Sequence, residues 1–127
     1  MDQLKEYKDK NILITGGLGL IGSTIANKLV KLGSKVYILD AKIPIYGANF
    51  FNINDVKDNI EVEIGDIRDR DRINQIVQGK DIIFNLAGQV DYTYSLDEPH
   101  YDLDINCRGH LNILEACRRY NKDAVVL

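Results

Sequence analysis

Residues 12–22, Ile-Leu-Ile-Thr-Gly-Gly-Leu-Gly-Leu-Ile-Gly, join a short apolar run to four glycines and then open into an amphipathic segment. A turn of this kind can bind phosphate through its backbone. One glycine allows a tight turn, one lets the chain approach a pyrophosphate, and one lets a helix pack closely on a strand. The unpaired amides and positive dipole end of that helix then hold an anion without a basic side chain. Two spacings overlap: Gly17, Gly19 and Gly22 form G-x-G-x-x-G, while Thr15 with Gly16, Gly19 and Gly22 forms T-G-x-x-G-x-x-G. Glycines also serve as caps and turns, so the pattern takes its meaning from its surroundings.

Asp40 lies 18 residues past Gly22, where a dinucleotide fold places an acid on the adenosine ribose. A carboxylate there accepts from both ribose hydroxyls and repels a 2′-phosphate, which favours NAD over NADP; the other reading is a solvated strand-end acid. Lys42, a base two residues on, would partly relieve that repulsion. The run Asn85-Leu86-Ala87-Gly88-Gln89 places small residues where a chain must pass close to a ligand. Tyr92 and Tyr94 follow it and could border a substrate, form a lid or make a subunit contact. His100 and His110 sit ten residues apart on one expected helix, a spacing unsuited to a shared metal. The charges from Arg68 to Arg72 read as a solvated helix start.

Apolar runs alternating with helical patterns predict a parallel sheet covered on both faces. Strands are expected at 11–15, 35–39, 60–64, 81–86 and 123–127. The first helix, 20–32, carries Ile21, Ile25 and Leu29 with Ala26 and Val30 as one apolar stripe, and Gly33 stops it. Residues 41–59 read as a loop with at most a short helix near 53–58. A helix over 69–78 buries Ile73, Ile76 and Val77, and 88–98 reads as loop. The longest helix, 99–120, starts on Pro99 and places Leu103, Cys107, Leu111, Leu114 and Cys117 along one side. The fold class is therefore α/β, a Rossmann-like doubly wound parallel sheet of order 3-2-1-4-5 with right-handed crossovers, truncated within strand five. Its ligand crevice lies outside the carboxyl ends of strands one and four.

At 127 residues, 45% hydrophobic and 28% charged, the chain suits one domain with a real core. A net charge of −3 without a basic stripe argues against nucleic acid or anionic membrane surfaces as partners. No window approaches the roughly 18 apolar residues of a membrane span, and the charged start is unlike a secretory signal. Cys107 and Cys117 lie too far apart along one helix to pair, and a reduced, cytoplasmic setting is expected.

Taken together, Thr15 to Gly22, Asp40, Asp66-Ile67, Asn85 to Gln89 and the stretch DINCRGHLNILEA (104–116) resemble the NAD-dependent epimerase/dehydratase family of extended short-chain dehydrogenases/reductases. The last stretch resembles the family helix Asp-x-Asn-x-x-Gly-Thr-x-Asn-x-Leu-Glu-Ala, with His110 in place of the Thr. The resemblance implies NAD held by Gly16, Gly19, Leu20, Ile21 and Gly22, by Asp40, Ala41 and Lys42, by Asp66 and Ile67, by Leu86, Ala87, Gly88 and Gln89, and by Asn106. Within it, Asp66 borders the adenine; as a bare residue Asp66 would equally cap the helix that follows. Asn106 either supports the active-site hydrogen-bond network or is a plain helix-face residue.

The implied chemistry is transient hydride exchange between nicotinamide and a nucleotide sugar, with a tyrosinate base tuned by a lysine four residues on. None of the seven tyrosines has a lysine at that spacing. The expectation is thus that 1–127 is an NAD-binding Rossmann domain, the front of an enzyme whose Tyr/Lys pair and sugar-binding lobe lie elsewhere, inactive alone and in a possible homodimer. Two other classes are weighed: a non-catalytic nucleotide-sensing module, and an S-adenosylmethionine methyltransferase, which the glycine spacing and Asn85 to Gln89 fit less well.

Overall fold

The computed structural model describes residues 2–127, with the side chains of residues 2, 3 and 45 left aside. Five strands form one parallel sheet: β1 (Asn11–Thr15), β2 (Lys35–Asp40), β3 (Ile60–Ile64), β4 (Ile82–Asn85) and β5 (Val125–Val126). Their order is β3-β2-β1-β4-β5, as the alternation predicted. Ile14 pairs with Ile38 of β2 on one side and Phe84 of β4 on the other, so β1 is the central strand.

Two apolar layers cover the sheet, and the period-two alternation of β1 divides between them. Ile12 and Ile14 join Leu18, Ala26, Leu29, Val36 and Ile38 beneath α1 (Leu20–Lys31). Leu13 faces the opposite way, with Ile67, Ile73, Ile83, Ile105 and Ile113. That second layer lies under α2 (Arg70–Ile76) and α5 (His110–Tyr120). α1 ends in a Schellman motif: Ser34 N–H donates to Leu29 O at 3.1 Å and Gly33 N–H to Val30 O at 3.0 Å, with Gly33 at φ +86°.

Several expectations are corrected. The loop 88–98 contains a helix, α3 (Tyr92–Asp97), capped by the Asp91 carboxylate accepting from Tyr94 N–H at 3.0 Å. The helix over 99–120 is α4 (Pro99–Leu103), a π-helical segment (Asp104–Gly109) and α5. Its buried side is Ile105, Gly109, Ile113, Ala116 and Cys117, whereas Leu103, Cys107, Leu111 and Leu114 are exposed, Leu111 by 56%. Two apolar rows run along this helix at helical spacing, and periodicity alone does not select the one that meets the sheet. Contact selects it: a Cβ on Gly109 would lie 2.5 Å from the Ile67 side chain, so helix and β3–α2 loop touch where only glycine fits. Ile21 is likewise exposed rather than buried. Residues 41–59 form three 3-10 turns, at Pro44–Tyr46, Phe50–Ile53 and Lys57–Asn59, and bury Ile53 and Val56 against the α1 layer. β5 is two residues long, shorter than expected. No described helix is long and apolar enough to cross a membrane.

Candidate functional site

The turn after β1 separates the glycine roles. Gly16 adopts φ +70° and donates its N–H to Leu39 O at 2.8 Å, and a Cβ there would lie 2.9 Å from the Ala87 backbone. At Gly22 a Cβ would lie 2.4 Å from Gly16 O, so α1 packs directly onto the turn. A Cβ on Gly19 would meet only Gly16 O at 3.4 Å; what this glycine keeps clear is the space outside the sheet. These three positions are those of T-G-x-x-G-x-x-G. Gly17 serves packing instead, with Ile38 side-chain atoms where its Cβ would be. Gly19 is also the extended N-cap of α1, with no side-chain cap and no acid in the first turn. The first amides of α1 are therefore free to bind an anion.

Thr15 ties this turn to β4. Its buried Oγ1 accepts from Leu86 N–H and Ala87 N–H, both at 3.1 Å, and donates to Asn85 Oδ1 at 3.2 Å. Asp40 ties it to β2. Its Oδ2 accepts from Leu18 N–H at 3.0 Å and its Oδ1 from Lys42 N–H at 2.8 Å. At 8% exposure Asp40 is not the solvated strand-end acid of the alternative reading. Lys42 is at φ +49°, and its Nζ lies over the Phe50 ring, 5.8 Å from the centroid.

Asp66 does not cap α2; Asp69 does, accepting from Arg72 N–H at 3.1 Å. Asp66 instead accepts from Arg68 N–H at 2.8 Å and pairs with the Arg68 guanidinium at 2.6 Å. Burial opposes ionisation of this carboxyl, but the hydrogen bonds and charge of Arg68 outweigh it and hold the pKa below the usual carboxylate value. Arg68 in turn lies 4.8 Å over the Tyr101 ring.

Behind the strand-four side, Asn106 clamps the backbone of residue 89. Its Oδ1 accepts from Gln89 N–H at 2.9 Å, and its Nδ2 donates to Gln89 O and Asp102 Oδ1, both at 3.0 Å. Asn106 lies in the π-helical segment, a distortion frequent at functional sites. The buried Gln89 side chain folds onto the Asp91 backbone.

These elements enclose a cleft of ≈ 370 Å³, within the range of small-molecule sites. Gly16, Gly19, Leu20, Ile21, Gly22, Asp40, Ala41, Asp66, Ile67, Leu86, Ala87 and Gly88 all line it. Lys42, Gln89 and Asn106 do not; the last two support the wall from behind. Sequence reasoning missed Ile43, Tyr46, Ala48, Val90 and Ile105, which also line the cleft. Most come from irregular segments without periodicity. It also missed Asn112, whose Nδ2 donates to Ile67 O at 3.0 Å and Arg68 O at 3.3 Å and so anchors the Asp66-Ile67 loop. A second asparagine six residues after Asn106 on the same helix was the available signal.

A family model described as GDP-mannose 4,6 dehydratase matches residues 13–127. The chain belongs to this family. Among similar proteins, a putative UDP-glucose 4-epimerase of Methanocaldococcus jannaschii is 38% identical over 117 residues, covering 91% of this chain and 36% of that protein. An epimerase structure from Methanothermobacter thermautotrophicus superposes with a TM-score of 0.85 at 34% identity, covering 94% of this chain and 34% of that one. A UDP-glucose 4-epimerase of Thermus thermophilus, solved in complex with NAD, gives a TM-score of 0.75 at 30% identity, with 87% and 34% covered. The chain thus spans about a third of the length of these relatives.

Proposed function

We propose that residues 1–127 are the NAD-binding domain of a nucleotide-sugar epimerase or dehydratase. The observation that carries this reading is the meeting, in one cleft, of the uncapped α1 N-terminus and the buried Asp40 carboxylate. The amides of Leu20, Ile21 and Gly22 hold the pyrophosphate, whose charge the helix dipole favours. Asp40 accepts from the adenosine ribose hydroxyls and repels a 2′-phosphate, and Lys42, turned onto Phe50, leaves that repulsion in place. Asp66 and Ile67 border the adenine. Leu86, Ala87 and Gly88 give the nicotinamide half a close, small-residue wall, which Thr15 and Asn106 keep in position.

The residues fit this cofactor on structural grounds: a Cβ at Gly22 would push α1 off the turn and so take its first amides out of place, and the buried Tyr46 hydroxyl on the cleft wall has no partner within the protein. Bound NAD supplies reversible hydride transfer with a sugar carbon. We assign the proton chemistry and the sugar site to residues outside these 127, so the chain alone turns over no substrate. The exposed apolar row Leu103, Leu111 and Leu114 supports pairing of two copies in a homodimer.

Calorimetric titration with NAD and NADP, with turnover assayed alongside, tests the reading. Saturable NAD binding, NADP binding weaker by about tenfold or more, and no turnover are expected. Absence of NAD binding, or epimerase turnover by this chain alone, overturns it.

A further inference from the structure

The segment from Lys42 to Asn49 is a strap pinned at both ends to the phosphate turn. At its start, Lys42 N–H donates to Asp40 Oδ1, whose other oxygen holds Leu18 N–H. At its end, Asn49 N–H donates to Leu18 O at 3.1 Å, and Asn52 Nδ2 donates to the same oxygen at 2.7 Å. Between these anchors the Pro44–Tyr46 turn closes through Tyr46 N–H to Ile43 O at 3.1 Å, and Gly47 leaves it at φ +75°. Both ends being fixed, the strap delivers Tyr46 to the cleft wall beside Ile43 and Ala48.

The Tyr46 hydroxyl is buried yet has no hydrogen-bond partner, the sole such side-chain atom among the described residues. Buried polar groups in folded proteins are nearly always partnered, and an orphan on a cleft wall is accounted for when the partner is the ligand. The aromatic and acidic groups nearest it in charge, Tyr101, Tyr94, Asp91 and Asp102, leave it unbonded, and burial pushes its pKa up, so it remains a protonated donor. Tyr101 also carries Arg68, which holds Asp66. With its strap anchored on Asp40 and Leu18, Tyr46 stands on the cleft wall next to the acid that ends β2.

We propose that Tyr46 is a further cofactor-binding residue, its unpartnered hydroxyl donating a hydrogen bond to an acceptor on the adenosine half of the bound dinucleotide. This rests on the NAD reading above. It gives the strap a function: Asp40 positions Tyr46 through Lys42 as well as receiving the ribose. A single residue thus links the grip on the ribose to the grip on the outer edge of the adenosine.

Tyr46→Phe removes the hydroxyl and little else. NAD and ADP-ribose, titrated calorimetrically into wild-type and Y46F chains, are both expected to bind Y46F about fivefold to tenfold more weakly, the effect of one hydrogen bond. The ligand-free Y46F chain is expected to melt at the wild-type temperature or above, since an orphan polar group is removed from the interior. Unchanged NAD affinity overturns the proposal, as does a loss with NAD but not with ADP-ribose, or a ligand-free melting temperature several degrees lower, which would show the hydroxyl bonded within the fold. A wild-type chain that binds no NAD overturns the functional reading and this assignment together, whereas wild-type binding with Y46F unimpaired removes this assignment alone.

Discussion

Leu18 N–H donates to the Asp40 carboxylate at 3.0 Å, so the acid ending β2 and the turn following β1 form one hydrogen-bonded unit. The acid consequently has a structural task as well as a ligand-binding one. Asp40→Ala leaves the buried Leu18 amide and the part-buried Lys42 amide without their acceptors, and a stranded buried donor costs about 1–3 kcal/mol. The ligand-free variant should lose about 2 kcal/mol or more in urea unfolding, and it should bind no NAD. Unaltered ligand-free stability would reduce Asp40 to a ribose ligand.

Thr15 gives a second case in which one side chain joins two strands. Thr15→Val keeps the shape but withdraws the acceptor from Leu86 and Ala87. A loss of about 2 kcal/mol is expected, together with weaker NAD binding because the Leu86 to Gly88 wall is released. Thr15→Ser retains the oxygen and should restore binding. Equal affinities for the valine and serine variants would contradict this account.

Glycines 22 and 79 separate close approach from backbone conformation. Gly22→Ala places a methyl 2.4 Å from a backbone carbonyl that cannot yield without moving the whole turn. Gly79 has φ +69° and nothing within 4 Å of its would-be Cβ, so Gly79→Ala meets only conformational strain, about 1–2 kcal/mol. NAD affinity should collapse in the first variant and stay at the wild-type value in the second. Calorimetry on the pair reads this directly.

Acid should weaken the protein partly through Asp66. Its folded pKa is lowered relative to the unfolded chain, so its contribution to stability is complete above the ordinary carboxylate value and is lost as pH falls through the folded one. The melting-temperature gap between wild type and Asp66→Asn should be constant near neutrality and shrink below about pH 4. A gap independent of pH down to about 2 would show that the Arg68 pairing does not favour the charged form.

Local chemistry made much of the site legible. Glycine spacing, a strand-end acid and a small-residue run express constraints carried by single residues, and of the 15 positions indicated by these together with the family resemblance, 12 line the cleft. Tyr46 was not legible because an irregular loop has no period, and its place depends on where Leu18 and Asp40 hold the strap. The α3 helix left a trace in its Asp91 cap, but six residues are too few for periodicity to show.

By itself the sequence determined the strand order, since apolar runs alternating with helices allow few ways to bury both faces of a parallel sheet. Only the tertiary structure decided which of two equally spaced apolar rows on the last helix turns inward, because Gly109 must meet Ile67. It alone also decided that Lys42, Gln89 and Asn106 stand outside the cleft they help to shape. Spacing along a chain encodes which face a residue shares with its neighbours. What that face touches depends on contacts between segments far apart in sequence, and those exist only once the chain has folded.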